Sequence, residues 1–335
     1  MMSNQIQIDD NLMVSFVIPM LNERDAIERC LDSILSQNYP GDKIEILVID
    51  GMSEDGSRDI VKSLAERFEQ IKLFDNPRKR TPASLNIGAR NAQGDIVVIL
   101  GAHTKIHPDF VKTNVRYMNE LGVKCVGGTQ INVGETPMQK AIGIAMGSIF
   151  GIPSAPYRFY KKKKYVDTVV YAAYKKELFE KIGYFDEELH ISEDAEFNWR
   201  IRQAGYKIFY TPEIISYYYP RKNLKTLFRQ FYNYGILRVN VIKKHFDAFK
   251  FIHILPPLFV SLLIITAISG ILIPKTSIFF LVLTVIYLVY LIIGALITAQ
   301  NTQKPGYTFK LVVIFMTMHT SWGLGFLRGL FKTYN

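Results

Sequence analysis

Two long uncharged segments in the last third of the chain constrain its fold most strongly. Phe251 to Ile273 and Ser277 to Ala299 contain no aspartate, glutamate, lysine or arginine. As helices that rise about 1.5 Å per residue, both exceed the roughly 30 Å thickness of a bilayer's hydrocarbon core. Only Pro274, Lys275 and Thr276 separate them, so we predict a helical hairpin that crosses a membrane.

A third apolar segment, Leu311 to Leu327, is shorter and more polar. It has 17 residues and includes His319, Ser321 and Trp322, so spanning, re-entering and lying in the interface all stay open. If it spanned, Arg328 would lie on the side opposite a cytosolic N-terminal domain, against the positive-inside tendency.

The positive charge of the chain is concentrated beside these segments. Residues 221–335 hold 13 lysines and arginines against one acid, whereas residues 1–220 hold 27 against 29, so the last third supplies the net charge of +10. Seven of these cations lie between Arg221 and Lys244, where apolar residues recur at helical spacing, a pattern typical of a basic helix in a membrane interface. Because this charge flanks apolar runs, we expect anionic lipid as a partner and no nucleic acid.

The first 100 residues alternate short apolar runs with helical patterns. Such runs are typical of strands buried on both faces of a parallel sheet, with right-handed helical crossovers between them. Between residues 105 and 170 the pattern weakens and assigns no elements. The predicted strands are Val14 to Ile18, Ile46 to Ile49, Ile71 to Phe74 and Ile96 to Leu100, and the helices between them are Ile27 to Leu35, Ile60 to Phe68 and Ala83 to Ala92.

Residues at the carboxyl ends of these strands form a candidate crevice, because ligands of open α/β sheets bind there. The absence of a G-x-G-x-x-G or P-loop motif from the sequence excludes a dinucleotide dehydrogenase and a P-loop NTPase. Asp50 could bind a nucleotide base or ribose, or simply begin a turn. The residues that would face the crevice are Pro19, Asn22 and Glu23 after the first strand, Asp50 at the end of the second, and Gly101, Ala102 and His103 after the fourth.

A pair of adjacent acids opens a predicted helix further along the chain. Ser192 is its expected N-cap, Glu193 and Asp194 lie in its first turn, and Gly205 ends it. Acids in a first turn stabilise a helix by roughly 0.3 to 1 kcal/mol each through the helix dipole. Asp194 is also the best candidate for a catalytic base, and the residues alone leave both roles open.

Compartment and domain boundaries follow from simpler signals. Cys30 and Cys125 are too few for a disulfide framework and indicate core thiols in a reducing compartment. The first 12 residues lack the pattern of a cleaved signal, so the front of the chain is expected in the cytosol. The run Lys161 to Lys164 predicts either a solvated loop or a phosphate site.

We predict an α/β domain over residues 1–220, a basic interfacial helix region over 221–248 and a membrane region over 249–335.

Several short motifs occur along the chain in a fixed order. They are Val14 to Glu23, Val48 to Ser57, Asn86 to Ala89, Val166 to Val169, Ser192 to Glu196, and Tyr219 to Arg221 with Gln230 to Gly235. On these motifs the chain resembles family 2 inverting glycosyltransferases with a GT-A fold, and among them the membrane-bound succinoglycan-biosynthesis branch. The resemblance implies a Rossmann-like α/β domain with a mostly parallel central sheet, followed by a C-terminal helical membrane region.

The resemblance also implies roles for individual residues. The family binds a nucleotide sugar, usually a UDP-sugar, and inversion by direct displacement needs a general base, which would be Asp194, and no covalent nucleophile. For Gln230 and Tyr234 a packing role is an equal alternative. The implied donor-binding residues are Pro19, Asn22, Glu23, Asp50, Arg80, Asn86, Ala102 and His103, and those near the acceptor or diphosphate are Glu193, Gln230, Tyr234 and Arg238.

One departure from the family pattern concerns the metal. The family carries Asp-x-Asp, or in this branch Asp-x-His, after strand four, whereas this chain has Gly101, Ala102 and His103. We expect a divalent cation, Mn²⁺ or Mg²⁺, and a site that retains only His103 favours Mn²⁺, because Mg²⁺ prefers oxygen ligands. Charge neutralisation by Arg80 or the lysine run, and a weakened enzyme, are the alternatives.

The expected function is that of a multi-pass membrane glycosyltransferase with a cytosolic catalytic domain. It would transfer a sugar from a nucleotide donor, with inversion, to a hydroxyl of a lipid-linked saccharide. A processive polysaccharide synthase is one alternative, although no R-W pair follows Gln230 at the spacing of a Q-x-x-R-W motif. A nucleotide-sugar-binding scaffold without catalysis is another, and Gly101 keeps it open.

Overall fold

The computed structural model of the chain describes residues 12–153, 155–189, 193–246 and 249–331. These residues form two compact units. The first comprises the described chain up to Ile131 together with Tyr157–Tyr218, and the second comprises Asn132–Pro156 and the described chain from Tyr219 onward. No local sequence signal marks residues 132–156 as part of the second unit.

A nine-stranded mixed sheet forms the centre of the first unit. Its strands are β1 (Val14–Met20), β2 (Ile44–Asp50), β3 (Ile71–Asp75), β4 (Ile96–Ile99), β5 (Thr104–Ile106), β6 (Cys125–Asn132), β7 (Lys164–Val166), β8 (Val170–Lys175) and β9 (Ile208–Tyr218). Their order is β3-β2-β1-β4-β8-β6-β9-β5, with β7 paired to β9. β1 to β4 pair in parallel, which confirms the sheet predicted from the first apolar runs. The β4–β8, β6–β8, β5–β9 and β7–β9 pairs are antiparallel. Three of these strands, β5, β6 and β7, lie largely in the unassigned region between residues 105 and 170.

Helices cover both faces of this sheet, which explains why all seven residues of β2 are buried. Alternate residues of β1 enter different cores: Phe16 packs on one side and Val17 on the other. Cys30 and Cys125 are buried free thiols, one in each core. The helices on the Phe16 side are α1 (Ile27–Leu35), α2 (Ser57–Arg67) and α4 (Phe110–Leu121), and those on the Val17 side are α3 (Thr81–Asn91), α6 (Glu177–Ile182) and α7 (Glu193–Gln203).

A glycine sets how closely α3 approaches the sheet. A Cβ at Gly88 would lie 2.2 Å from Cγ1 of Val17, a separation that no real side chain tolerates. The Asn86 to Ala89 motif therefore brings α3 directly onto β1 and fixes the position of its first turns beside the crevice.

The described part of the second unit is helical. Its α-helices are α5 (Pro137–Met146), α8 (Leu224–Lys244), α9 (Leu255–Leu272), α10 (Ser277–Asn301) and α11 (Thr308–Phe331). The segments Phe251–Leu272, Pro274–Asn301 and Pro305–Phe331 are each long and apolar enough to cross a membrane, with mean hydropathies of 2.3, 2.8 and 1.3. The third is longer than the 17-residue apolar segment because α11 begins at Thr308 and ends at Phe331.

Candidate active site

The loops after β1 and β4 meet at one edge of the sheet because these two strands are neighbours. The strand order reverses at this point, which is where open α/β sheets bind ligands. Pro19 lies within β1, while Ala102 is buried in the turn before β5. Nδ1 of His103 lies 3.1 Å from Oε1 of Glu23, so the structure brings two of the predicted donor-binding residues together.

The loop after β1 is bonded to the loop after β2. Asn22 adopts a left-handed φ of 55°, which asparagine tolerates better than most residues. Its backbone N–H donates to Oγ of Ser53 at 2.9 Å, and its side-chain oxygen accepts from the N–H of Glu54 at 3.0 Å. The N–H of Glu23 donates to Oγ of Ser57 at 2.8 Å. These bonds hold the backbone on which Asn22 and Glu23 are presented.

Asp50 is fully buried at the carboxyl end of β2. Its carboxylate accepts from the hydroxyl of Ser53 at 2.6 Å and from Nη1 of Arg58 at 2.9 Å. Arg58 also pairs with Asp75 at 2.6 Å, and the hydrogen bonds that it donates to Asp75 and then to Asp50 raise the pKa of Arg58. These contacts agree with the interpretation in which Asp50 begins a turn. Its role in donor binding stays a prediction. Arg58 was not identified from the sequence.

The two donor-binding candidates of α3 occupy different environments. Arg80 is exposed at the N-terminus of α3, and its carbonyl accepts from Nδ2 of Asn76 at 2.9 Å. Asn86 is buried, and its carboxamide bonds to the N–H and carbonyl of Phe185, both at 2.9 Å, and to Glu187 at 2.8 Å. Asn86 therefore anchors the segment that leads to α7, and contact with a donor stays a prediction for both residues.

The predicted acid pair lies in the first turn of α7, and both side chains are half-buried. Oδ1 of Asp194 accepts from the N–H of Ala195 at 2.7 Å. Burial raises the pKa of Glu193, and the charge of Asp194 raises it further. Glu193 therefore holds its proton more strongly than an ordinary glutamate. The expected N-cap, Ser192, lies outside the described residues.

A buried ion pair anchors α7 next to these acids. Glu196 forms a bidentate pair with Arg200, with oxygen–nitrogen distances of 2.7 and 2.9 Å. Arg200 also donates to the carbonyls of Ile182 and Tyr184, both at 2.7 Å. The pair thus joins α7 to the segment after α6.

The Val166 to Val169 motif contacts the same helix. Oγ1 of Thr168 accepts from Nδ2 of the buried Asn198 at 2.9 Å, and Oδ1 of Asn198 accepts from the hydroxyl of Tyr174 at 3.0 Å. Asn198 is fully buried, so these bonds fix the rotation of α7 about its axis.

Aromatic rings connect His103 with a cation that was not identified from the sequence. The ring of Tyr218 meets His103 edge-on at 5.6 Å, and Cζ of Arg158 lies 5.7 Å from the Tyr218 ring and 5.4 Å from the Tyr157 ring. Burial raises the pKa of Tyr157, Arg158 opposes this, and the charge of Asp194 adds to it. His103, Arg158 and Asp194 thus belong to one group of interacting side chains in the first unit.

The lysine run lies elsewhere on the sheet. Lys164 pairs with Tyr210, which is eight residues along β9 from Tyr218. Lys163 forms an ion pair with Glu213 at 2.6 Å and is exposed. This geometry agrees with a solvated segment and gives no support to the alternative in which the run neutralises a diphosphate beside His103.

The remaining candidates lie on α8 of the second unit at four-residue spacing. Gln230 is buried, and its Nε2 donates to the hydroxyl of Tyr234 at 2.9 Å. Arg238 follows one turn later and is half-buried. Contact of these three residues with an acceptor stays a prediction.

Comparison with known sequences decides the family. A family model described as glycosyl transferase family 2 matches residues 15–183, half of the chain. The chain belongs to this family. The match covers β1 to β8 of the glycosyltransferase and therefore includes the crevice at β1 and β4.

Individual relatives extend the comparison beyond the family model. The glycosyltransferase is 29% identical to a dolichyl N-acetyl-alpha-D-glucosaminyl phosphate 3-beta-D-2,3-diacetamido-2,3-dideoxy-beta-D-glucuronosyltransferase of Methanococcus voltae, over 95% of this chain and 97% of the relative. It is 30% identical to the succinoglycan biosynthesis protein ExoA of Rhizobium meliloti (strain 1021), over 68% and 70%. The mannosyltransferase PcManGT of Pyrobaculum calidifontis, solved with GDP-Man and Mn²⁺, shares the fold with a TM-score of 0.62 at 19% identity, over 97% and 90%.

The residues at the carboxyl end of β4 do not match the metal site that the family pattern implies. Gly101 supplies no carboxylate, and the donors beside it are the imidazole of His103 and the carboxylate of Glu23. The described part of the chain contains no group of three or more histidine, cysteine, aspartate or glutamate side chains that could hold a metal ion. The donor set is therefore poorer than the acid pair on which a divalent cation ordinarily depends in such a site.

Proposed function

We propose that this glycosyltransferase moves a sugar from a nucleotide donor, with UDP as the expected nucleotide, to a hydroxyl of a lipid-linked saccharide, with inversion. The observation that carries the proposal is the position of Asp194, half-buried in the first turn of α7 and close enough to Tyr157, the neighbour of Arg158, for its charge to raise the pKa of that tyrosine. A half-buried carboxylate in this position suits a general base.

The reaction needs one proton acceptor and one departing group. Asp194 takes the proton of the acceptor hydroxyl, the hydroxyl oxygen forms a bond to the anomeric carbon, and the bond from that carbon to the diphosphate breaks on the opposite face. The nucleoside diphosphate leaves with the electron pair. Because burial and Asp194 raise the pKa of Glu193, a proton held on Glu193 lets Asp194 stay ionised beside it.

A lipid-linked acceptor and a membrane location are supported by two observations. The Methanococcus voltae relative, which aligns over nearly the whole of both chains, is named for an acceptor linked to dolichyl phosphate. Three helices of the second unit are apolar enough to cross a membrane. We place the first unit on the cytosolic side, where nucleotide sugars are available and where the basic residues around α8 favour anionic lipid.

The test compares Asp194→Asn with Asp59→Asn, which removes an exposed acid from the first turn of α2. Transfer from radiolabelled nucleotide sugars to membrane lipid extracts is measured together with nucleotide binding. Asp194→Asn is expected to lose transfer by about 10²-fold or more and to keep nucleotide binding, whereas Asp59→Asn keeps both. Near-normal transfer by Asp194→Asn would overturn the base assignment, and a ladder of products would indicate a processive synthase.

A further inference from the structure

We propose that Arg158 binds the diphosphate of the donor, in the place where the family pattern implies a metal held by an acid after strand four. The inference rests on the proposed function, since it assumes a nucleotide donor. The proposal gives a binding role to Arg158, which lies outside all of the sequence motifs.

The position of Arg158 follows from the antiparallel half of the sheet. Tyr218 pairs with Thr104, the residue directly after His103, so the end of β9 lies at the crevice. The guanidinium lies near the rings of Tyr157 and Tyr218, with Cζ at 5.4 and 5.7 Å from their centroids. Arg158 also makes a side-chain hydrogen bond with Tyr157. A guanidinium carries five N–H donors in a planar fork, so one such bond does not exhaust its capacity.

A cation is needed to balance the negative charges that meet in the crevice. A departing nucleoside diphosphate is anionic, and Glu23 and Asp194 add negative charge of their own. The guanidinium of Arg158 is permanently charged and can bind two phosphate oxygens at once, which suits a diphosphate.

Gly101 leaves the space that an acid would need. A Cβ at this position would meet Oγ1 of Thr104 at 3.4 Å, Cε1 of His103 at 3.6 Å and Cε1 of Tyr171 at 3.7 Å, which are ordinary contacts. Packing therefore does not force glycine here. An aspartate can therefore be introduced here. The substitution tests whether a metal-binding carboxylate can replace Arg158 in neutralising the charge of the diphosphate.

The experiment measures binding of UDP and GDP to the full-length protein by calorimetry, in EDTA and in Mn²⁺. Wild-type binding of the preferred nucleotide is expected to change less than about twofold between the two conditions. Arg158→Ala should weaken binding about tenfold or more, since charged hydrogen bonds are lost, and Arg158→Lys should weaken it less. Lys163→Ala is the matched control, because Lys163 is a cation over the Tyr117 ring at 5.1 Å but lies by Glu213.

A rescue experiment distinguishes binding that is lost with the charge of Arg158 from binding that is lost because the variant does not fold. Gly101→Asp in the Arg158→Ala background should recover binding in Mn²⁺ and not in EDTA, and the thermal unfolding of each variant reports whether it folds. Wild-type binding that disappears in EDTA, or Arg158→Ala binding that equals wild type, overturns the site. If the wild-type protein binds neither nucleotide, the site and the proposed function both fail; if it binds one but transfers no sugar, the function alone fails.

Independently, we infer that α11 does not cross the membrane and instead lies with α8 at its surface. α8 cannot span, because five cations are distributed along it: Lys225, Arg229, Arg238, Lys243 and Lys244. The backbones of α8 and α11 come close together at glycines of α11. A Cβ at Gly325 would lie 2.0 Å from the carbonyl oxygen of Tyr232, and one at Gly329 would lie 2.9 Å from that of Ile236.

The contacts move toward the C-terminus of both helices together, so α8 and α11 are parallel and lie side by side. Nζ of Lys243 donates to the carbonyls of Gly329 and Leu330 at 3.1 and 3.0 Å, so the two helices end at the same level. The lower mean hydropathy of the third apolar segment, 1.3, agrees with this position. With α9 and α10 as the crossing hairpin, Arg328 lies on the side of α8, as the positive-inside tendency favours.

Cysteine labelling tests this topology in sealed membrane vesicles. Single cysteines replace Arg229, Arg328 and Lys275 in a background in which Cys30 and Cys125 are changed to alanine. A maleimide that cannot cross membranes should label Arg229→Cys and Arg328→Cys from the same side and Lys275→Cys from the other. Labelling of Arg328→Cys from the side opposite Arg229→Cys overturns the inference.

Discussion

The side chain of Asn86 and the backbone of Phe185 form a closed pair of hydrogen bonds, each 2.9 Å long. The two residues lie 99 positions apart. The bond pair fastens α3, which packs directly on β1, to the segment that leads into α7. A residue that the family motif suggests as a donor ligand therefore also determines where the acids of α7 are held.

Removing this pair should destabilise the first unit. Asn86→Ala leaves a buried N–H and a buried carbonyl of Phe185 without partners, which costs about 1 to 3 kcal/mol for each group in the free energy of unfolding. The emission of Trp199 during urea unfolding reports this change in a Trp322→Phe background, because the chain has two tryptophans.

Asn91→Ala is the control for this measurement, because Nδ2 of Asn91 makes one exposed bond to the carbonyl of Ile87 at 2.8 Å. Its effect should stay within about 0.5 kcal/mol. Equal midpoints for the two variants would contradict an anchoring role for Asn86.

The ion pair of Glu196 and Arg200 predicts a second stability difference. Glu196→Gln leaves Arg200, which is only 22% exposed, without its carboxylate, and should lower the free energy of unfolding by about 3 kcal/mol. Glu177→Gln removes a pair of the same spacing, with Lys181 at 2.8 Å, and a second pair with Lys124 at 2.7 Å. Both pairs are accessible to water, so each should contribute less than about 1 kcal/mol. Urea unfolding of both variants checks the contrast, and similar losses would count against the burial argument.

Features that depend on a local sequence pattern can be predicted from the sequence, whereas features that depend on the pairing of distant strands cannot. The order of β1 to β4 is predictable because each strand is a short apolar run, and Glu23 and His103 meet because both follow carboxyl ends of adjacent strands. Arg158 is not predictable in this way, since its position depends on the antiparallel pairing of β9 with β5. The same holds for residues 132–156, whose packing with the C-terminal helices depends on tertiary contacts rather than on a periodic pattern.

The raised pKa of Glu193 predicts a pH dependence of stability. The folded protein binds this proton more tightly than the unfolded chain, so the contribution of Glu193 is fully present below its ordinary pKa of 4.5 and is lost as the pH rises through the folded-state pKa. Glu193→Gln cannot ionise and should lose less stability between about pH 5 and about pH 8 than the wild-type protein. Parallel pH profiles from urea unfolding of the two proteins would argue against the raised pKa.

The contact between Gly325 and Tyr232 predicts that α8 and α11 tolerate no added side chain at their crossing. Gly325→Val places its Cβ where the Tyr232 carbonyl oxygen lies only 2.0 Å away, so the helices must separate and expose packed surface. Gly306→Val is the control, because a Cβ there meets nothing within 4 Å. In a Trp199→Phe background, Trp322 emission during thermal unfolding in detergent should show a clear loss for Gly325→Val and almost none for Gly306→Val. Because Trp322 lies at the same crossing, an unchanged transition for Gly325→Val would mean that the two helices do not pack as described, and the inferred surface position of α11 would lose its basis.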